Sequence, residues 1–203
     1  VNRIINGDMR IDQRNGGAAV TPTNQQYTLD RWRGIMTQTG KFSVQKNANS
    51  VTPPEGFTDY LGIVSLSSYA VGSGDIFSLS QSIEGYNIAD LGWGTASAKT
   101  ITLSCQVYSS LTGTFGGSLR NDSANRSYPF SFTVSTANTW TAISLTIAGD
   151  TSGTWDNTVS GGILLSFGLG SGSTFSGTAG AWAAGNYLSA TGATSVVGTS
   201  GAT

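Results

Sequence analysis

Short runs that alternate apolar and polar residues, separated by glycine, asparagine and aspartate clusters at intervals of roughly ten residues, set the terms on which this chain can fold. The clearest run is Lys99–Tyr108. It puts Ile101, Leu103, Cys105 and Val107 on one face and Thr100, Thr102, Ser104, Gln106 and Tyr108 on the other. Runs of the same kind cover Lys41–Lys46, Tyr60–Leu66, Ile76–Ile83, Thr112–Leu119, Tyr128–Val134, Thr139–Ile147 and Ile163–Phe167. No segment sustains a helical period beyond one turn. Twenty-eight glycines against four prolines suit many strands joined by tight turns. The expected fold is all-β, a jelly-roll-like antiparallel β-sandwich, with residues 1–203 as a single domain.

The opening stretch, Val1–Arg33, holds five of the ten basic residues, Arg3, Arg10, Arg14, Arg31 and Arg33, with Asp8, Asp12 and Asp30 among them. Asn6-Gly7 favours a tight turn because both residues tolerate positive φ, so Arg3–Ile5 and Met9–Ile11 are expected to meet at a corner. Tyr27–Trp32 reads as the next strand. Asp30 beside Arg31 is expected to fasten a strand edge by an ion pair.

Several chemistries are excluded by what is missing. The chain has no histidine, which removes Ser-His-Asp and Cys-His catalysis and histidine-based zinc sites. A net charge of −1 provides no field for nucleic acid, and no such partner is expected. No phosphate-binding loop occurs, and no apolar run is long enough to cross a membrane as a helix. The start lacks the basic-then-apolar layout of a signal peptide. Cys105 is single and sits in a strand pattern, where a small buried apolar role is expected. What remains for an enzyme is a carboxylate pair of the glycosidase kind. Glu84, Asp90, Asp150 and Asp156 flank loops that carry aromatic residues, but each also suits a turn or a strand edge. No catalytic residue is assigned, and the chain is expected not to be an enzyme.

Binding residues are sought on loops. Glu84–Ala98 is too long for a hairpin and carries Tyr86 and Trp93; Trp155 stands beside Asp156 at another turn. A sugar stacks its C–H face on such rings while polar neighbours take its hydroxyls, so Tyr86, Trp93, Trp155 and Asp156 form the candidate carbohydrate contact. The alternative is that these rings cap the ends of the core, where Trp32 and Trp140 are also expected. Asn157–Thr203 contains no charged residue. A surface of that kind is expected to be an assembly interface, with Trp182 and Tyr187 at its centre, or else a flexible low-complexity tail.

Asn2–Met9, Ile11–Arg14 and Tyr27–Trp32, with Gln81–Tyr86, Asp90–Ala96, Ser109–Phe115, Arg126–Phe130 and Gly149–Trp155, resemble a family of bacteriophage virion proteins with a carbohydrate-binding-module-like β-sandwich. The resemblance implies a tail-fibre or minor structural protein on the exterior of the virion, made in the host cytoplasm. It implies self-assembly, commonly as a homotrimer, contact with other virion proteins, and host-surface glycan as a ligand for adsorption. Capsid-decorating or neck-attached proteins and glycan-cleaving tailspikes are its alternatives. No cofactor is expected beyond a structural calcium ion, and members usually continue with another strand after the equivalent of Thr203.

Overall fold

The computed structural model describes residues 1–203. Nine strands of four or more residues carry the fold: β1 (Arg33–Met36), β2 (Phe42–Lys46), β3 (Leu61–Ser65), β4 (Ile76–Glu84), β5 (Ile101–Val107), β6 (Gly113–Asn121), β7 (Arg126–Val134), β8 (Thr141–Ile147) and β9 (Gly161–Ser171). Three two-residue strands follow, β10 (Ser176–Gly177), β11 (Ala183–Ala184) and β12 (Ser189–Ala190), and the helical segments are single 3-10 turns. The fold is an all-β sandwich, as the alternation requires. One layer is a six-stranded antiparallel sheet in the order β1-β4-β9-β6-β7-β11. Facing it are two separate antiparallel pairs, β2–β3 and β5–β8.

Alternation along the sheet strands builds two different faces. Phe77, Leu79, Leu165, Leu119, Phe130 and Val134 enter the core beneath the two pairs. The opposite face carries Ser78, Ser80, Ser118 and Ser166, each fully buried. Ser80 Oγ lies 2.8 Å from Ser166 Oγ and 3.3 Å from Ser78 Oγ. Small residues are required there because the chain after β9 lies directly on the sheet. A Cβ at Gly116 or Gly168 would come within 2.5 or 2.6 Å of Ser189 Oγ.

This third layer accounts for the uncharged C-terminal segment. β9 is hydrogen-bonded on both edges and covered on both faces, and Leu188, Ser189, Ala190, Val196, Val197 and Ala202 are buried. A charge at those positions would be desolvated without a partner. Asn157–Thr203 is therefore neither a loose tail nor, over most of its length, an open face: its lack of charge reflects burial within the chain's own fold.

Tyr27–Trp32 departs from expectation. It is a turn, with the Thr28 amide donating to the Trp32 carbonyl at 2.8 Å, the Trp32 amide donating to Leu29 at 3.0 Å, and Arg31 at φ 74°. Leu29 and Trp32, three residues apart, both enter the core. A turn brings them to one side, which a strand would not.

Candidate functional site

The N-terminal segment is fastened to the sheet by side chains that stand in for missing strand pairing. Asn6 donates from Nδ2 to the carbonyls of Ile11 and Asp30 at 2.8 and 3.0 Å, and accepts the Ile11 amide at 2.9 Å. The Trp32 indole donates to the Asn6 carbonyl at 3.1 Å. Gln81, fully buried in β4, exchanges two hydrogen bonds of 2.9 Å with the backbone of Ile5, completing it as a strand would. Arg31 does not pair with Asp30. Its guanidinium reaches Glu84 Oε1 at 2.5 Å and the Ser82 carbonyl at 3.0 Å, while Asp30 accepts the Gln13 amide at 2.7 Å. The positive φ at Arg31 turns its side chain away from its sequence neighbour.

At one end of the sandwich, the loop Glu84–Ala98 folds inward as a plug. Its two 3-10 turns bury Ile88 and Leu91, and Trp93 follows them into the core. Trp93, Trp155 and Trp182 meet edge to face, with centroids 4.9 Å apart for Trp93–Trp155, 5.2 Å for Trp93–Trp182 and 5.3 Å for Trp155–Trp182. Tyr128 adds a fourth ring 5.2 Å from Trp182. Each indole N–H is spent on a carbonyl: Trp93 on Lys99, Trp155 on Ser152, and Trp182 on Ala148. Trp93 and Trp155 are over nine-tenths buried and so offer no stacking face to a sugar. These rings cap the core instead. Trp182 is half-buried in the same cluster, and Tyr187 is half-buried against Gly177 and Gly185. Both have intramolecular partners and keep part of their surface exposed.

Tyr86 is different. It is 67 % exposed on the outside of the plug. Asn87 and Asp90 flank it in the same loop, Asp90 held by Arg3 at 2.8 Å, with Arg3 also donating to the Asn87 carbonyl. The sequence candidates for sugar contact thus separate by burial, and only Tyr86 presents a ring to solvent.

Each candidate carboxylate has structural partners. Asp150, 2 % exposed, takes a two-pronged contact from Arg126, Nε at 2.8 Å and a terminal nitrogen at 2.7 Å, and also accepts the Ser152 amide at 3.0 Å. Burial pushes Glu84 up, but the hydrogen bond and charge of Arg31, helped by Asn87, leave it below its ordinary value. Asp90 is lowered by the Arg3 hydrogen bond first and the Arg3 charge behind it, and Asp156 by the Thr158 hydroxyl and amide. Asp156 Oδ1 accepts both Thr158 groups, at 2.6 and 2.7 Å, and so shapes its own turn. No three acidic or thiol side chains converge.

One feature lay outside what alternation could reveal. Between the six-stranded sheet and the two facing pairs is an apolar cleft of about 700 Å³. Its floor includes Leu79, Phe132, Leu165 and Phe167, and its sides are β3 and β5. It depends on which strands fail to pair across the sandwich.

No family model matches the chain, and no curated protein matches it. Among solved structures it is similar to the crystal structure of the enzymatically active domain of bacteriophage CBA120 tailspike protein 4, at 14 % identity and a TM-score of 0.47, over 93 % of this chain. The chain spans about a fifth of that protein's resolved length, 21 %. The expectation that the chain is not an enzyme is withdrawn on this finding, because the matched structure is an enzymatically active domain. A likeness this distant assigns no reaction and no reacting residue.

Proposed function

We propose that this chain is a structural module of a bacteriophage tail, a fibre or fibre-head sandwich on the virion exterior. It assembles with itself and with other virion proteins, and it contacts host-surface glycan through the loop that carries Tyr86. The observation behind this proposal is where the family-resembling residues fall. Asn6, Trp32, Gln81, Glu84, Asp90, Trp93, Arg126, Asp150 and Trp155 lie far apart in the sequence. In the fold they form the hydrogen bonds, ion pairs and aromatic contacts that fasten the opening segment and close one end of the sandwich. A sequence resemblance carried by the residues that define the scaffold supports a shared scaffold. The similarity to a tailspike domain points the same way and carries none of the argument.

The glycan contact rests on Tyr86, the one exposed ring among the sequence candidates, with Asn87 beside it held in place by its amide donating to Glu84 at 3.1 Å. The test is retention of purified protein on immobilised host envelope polysaccharide, for wild type and Tyr86→Ala. Retention that falls at least about ten-fold in the variant, with an unchanged melting temperature, is expected if one stacked ring carries about 1.4 kcal/mol. Equal retention of both proteins, or none, refutes the glycan contact. Assay of the same incubation for newly released reducing ends reports cleavage directly.

A further inference from the structure

Five of the chain's seven arginines are half-buried. Arg3, Arg31 and Arg126 each hold a carboxylate, that of Asp90, Glu84 and Asp150 in turn. Arg33 and Arg120 hold none. Both rise from the serine face of the six-stranded sheet, the face turned away from the apolar cleft. Arg33 on β1 stands opposite Ser80, Ser80 opposite Ser166, and Ser166 opposite Ser118. Directly opposed residues share a face, and so do residues two apart on one strand, which brings in Arg120 on β6. β4 and β9 lie between the two arginines, so their backbones stand about 14 Å apart, three strand spacings. Two long side chains close that gap: burial pulls Arg120 below its ordinary value, and the charge of Arg33 adds to the effect. Asp122 opposes it but forms no ion pair with either arginine.

The two guanidiniums are held in the same way. Arg33 Nη1 donates to Gln25 Oε1 at 3.3 Å, and Arg120 Nη1 donates to Asn186 Oδ1 at 2.5 Å. These amide oxygens fix each side chain without cancelling its charge. The edge formed by Nε and Nη2 is left over: both Nε atoms are buried with no acceptor, while each Nη2 beside them is neither bonded nor fully covered. Arg126 shows what that edge can do. Its Nε and Nη2 grip the two oxygens of Asp150 at 2.8 and 2.7 Å. On the same face as Arg33 and Arg120, Ser118 Oγ is a further buried hydroxyl with no partner.

This corner of the fold therefore has donors and positive charge in surplus and lacks an acceptor, an arrangement that costs stability unless something answers it. A neutral sugar or an apolar molecule would leave both charges uncompensated. A polyanion such as nucleic acid does not suit a chain of net charge −1. The planar forks of two arginines match the oxygens of one carboxylate or phosphate group. We infer that Arg33 and Arg120 form an oxyanion site on the serine face, which takes a single carboxylate or phosphate group, free or carried as an acidic substituent on a sugar. The site is separate from the glycan contact at Tyr86 and does not depend on it.

The probes are inorganic phosphate and glucuronate, with glucose as the uncharged control, each titrated into the full chain at one ionic strength set with sodium chloride. Calorimetry gives the affinity, and the Nε–H signals of the arginines in a nitrogen-15 correlation spectrum give the place. Saturable binding of phosphate, glucuronate or both is expected, with the Nε–H signals of Arg33 and Arg120 moving, those of Arg3 and Arg126 still, and no response to glucose. Tighter binding of phosphate identifies a site for the free anion, and tighter binding of glucuronate a site for a sugar acid. Arg33→Gln and Arg120→Gln should each weaken binding at least about ten-fold, the loss expected for a hydrogen-bonded charge. Asp122→Asn leaves both arginines in place and removes the opposing charge, so it should tighten binding. Failure of both anions to bind overturns the proposal, as does binding that leaves the Arg33 and Arg120 signals unmoved, full affinity in both glutamine variants, or weaker binding in Asp122→Asn.

Discussion

Replacing Asp150 by alanine tests whether the closed end of the sandwich depends on one buried ion pair. Asp150 is 2 % exposed, and its partner Arg126 retains 18 % of its side-chain exposure. The carboxylate accepts two guanidinium hydrogen bonds and the Ser152 amide, so it fixes the Gly149–Trp155 turn against β7. The stem of Arg126 also lies against Gly153, where an added Cβ would meet Arg126 Cγ. Removing the carboxylate leaves a largely buried guanidinium without its counter-charge, a loss of about 3–5 kcal/mol. For a chain of this size each kcal/mol shifts the melting temperature by about 2–4 °C, so Asp150→Ala should melt about 6–20 °C below wild type. Thermal unfolding followed by near-ultraviolet circular dichroism measures this and also reports the three-tryptophan cluster beside the turn. The double variant Arg126→Met/Asp150→Ala removes the stranded charge while keeping much of the stem's volume, and should recover part of the loss. A fall of less than about 2 °C in the single variant, or a double variant no better than the single, would show that water reaches Arg126 and that the pair does not hold the turn.

Other outcomes follow from the same contacts. Trp182→Lys puts a charge among Trp93, Trp155 and Tyr128; full loss of a core tryptophan costs about 3–5 kcal/mol, so a half-buried one should cost roughly half that, seen as a lower denaturant midpoint. Stability should fall on acidification through and below the ordinary carboxylate range near 4. Asp75 is lowered by the Gly72 amide first and then by the Thr37 and Tyr69 hydroxyls, against burial, and Glu84 is lowered with Arg31. The folded form thus holds fewer protons than the unfolded chain in that range, so stability is present above it and lost as pH falls. Urea midpoints between pH 7 and pH 3 measure this, and a flat profile would contradict it. Burial pushes the Cys105 thiol up to about 11 from 9.0, so iodoacetamide at pH 8 should label the folded chain about a hundred-fold more slowly than the unfolded one. The sign is opposite to that of the carboxylates: stability should be retained below the ordinary thiol range and lost as pH rises toward 11.

Strands were legible wherever one face met the core and the other met water. β5 is the clearest case, with each inward residue half-buried and each residue between them exposed. Alternation failed at Tyr27–Trp32, where the period of two was accidental and Leu29 and Trp32 share a side only because the backbone reverses at Arg31. It also understated β9. A strand covered on both faces loses its polar alternation, so the ends of Gly161–Ser171 could not be read from the apolar run Ile163–Phe167 alone. Among the binding candidates, loop position was readable from sequence but burial was not. Trp93 and Tyr86 belong to one loop, yet Trp93 closes on Trp155 and Trp182 from distant parts of the chain, and Tyr86 has no such partners.

The uncharged character of Asn157–Thr203 follows from the two unlike faces of the sheet. A sheet built with serine and glycine on one face and large apolar residues on the other can be covered closely on the first face by its own C-terminal chain, because Gly116 and Gly168 let β12 approach. Gly201–Thr203 then cross to the other side of the sheet, where their backbone bonds Ser65 and Ser110. One side is therefore sealed by an uncharged segment, while Leu61, Ile63, Leu103 and Val107 on the other are half-buried. Cys105 lies on that second side, in the lining of the cleft. Tyr86 does not line that cleft, so a ligand held at Tyr86 should leave the alkylation rate of Cys105 unchanged.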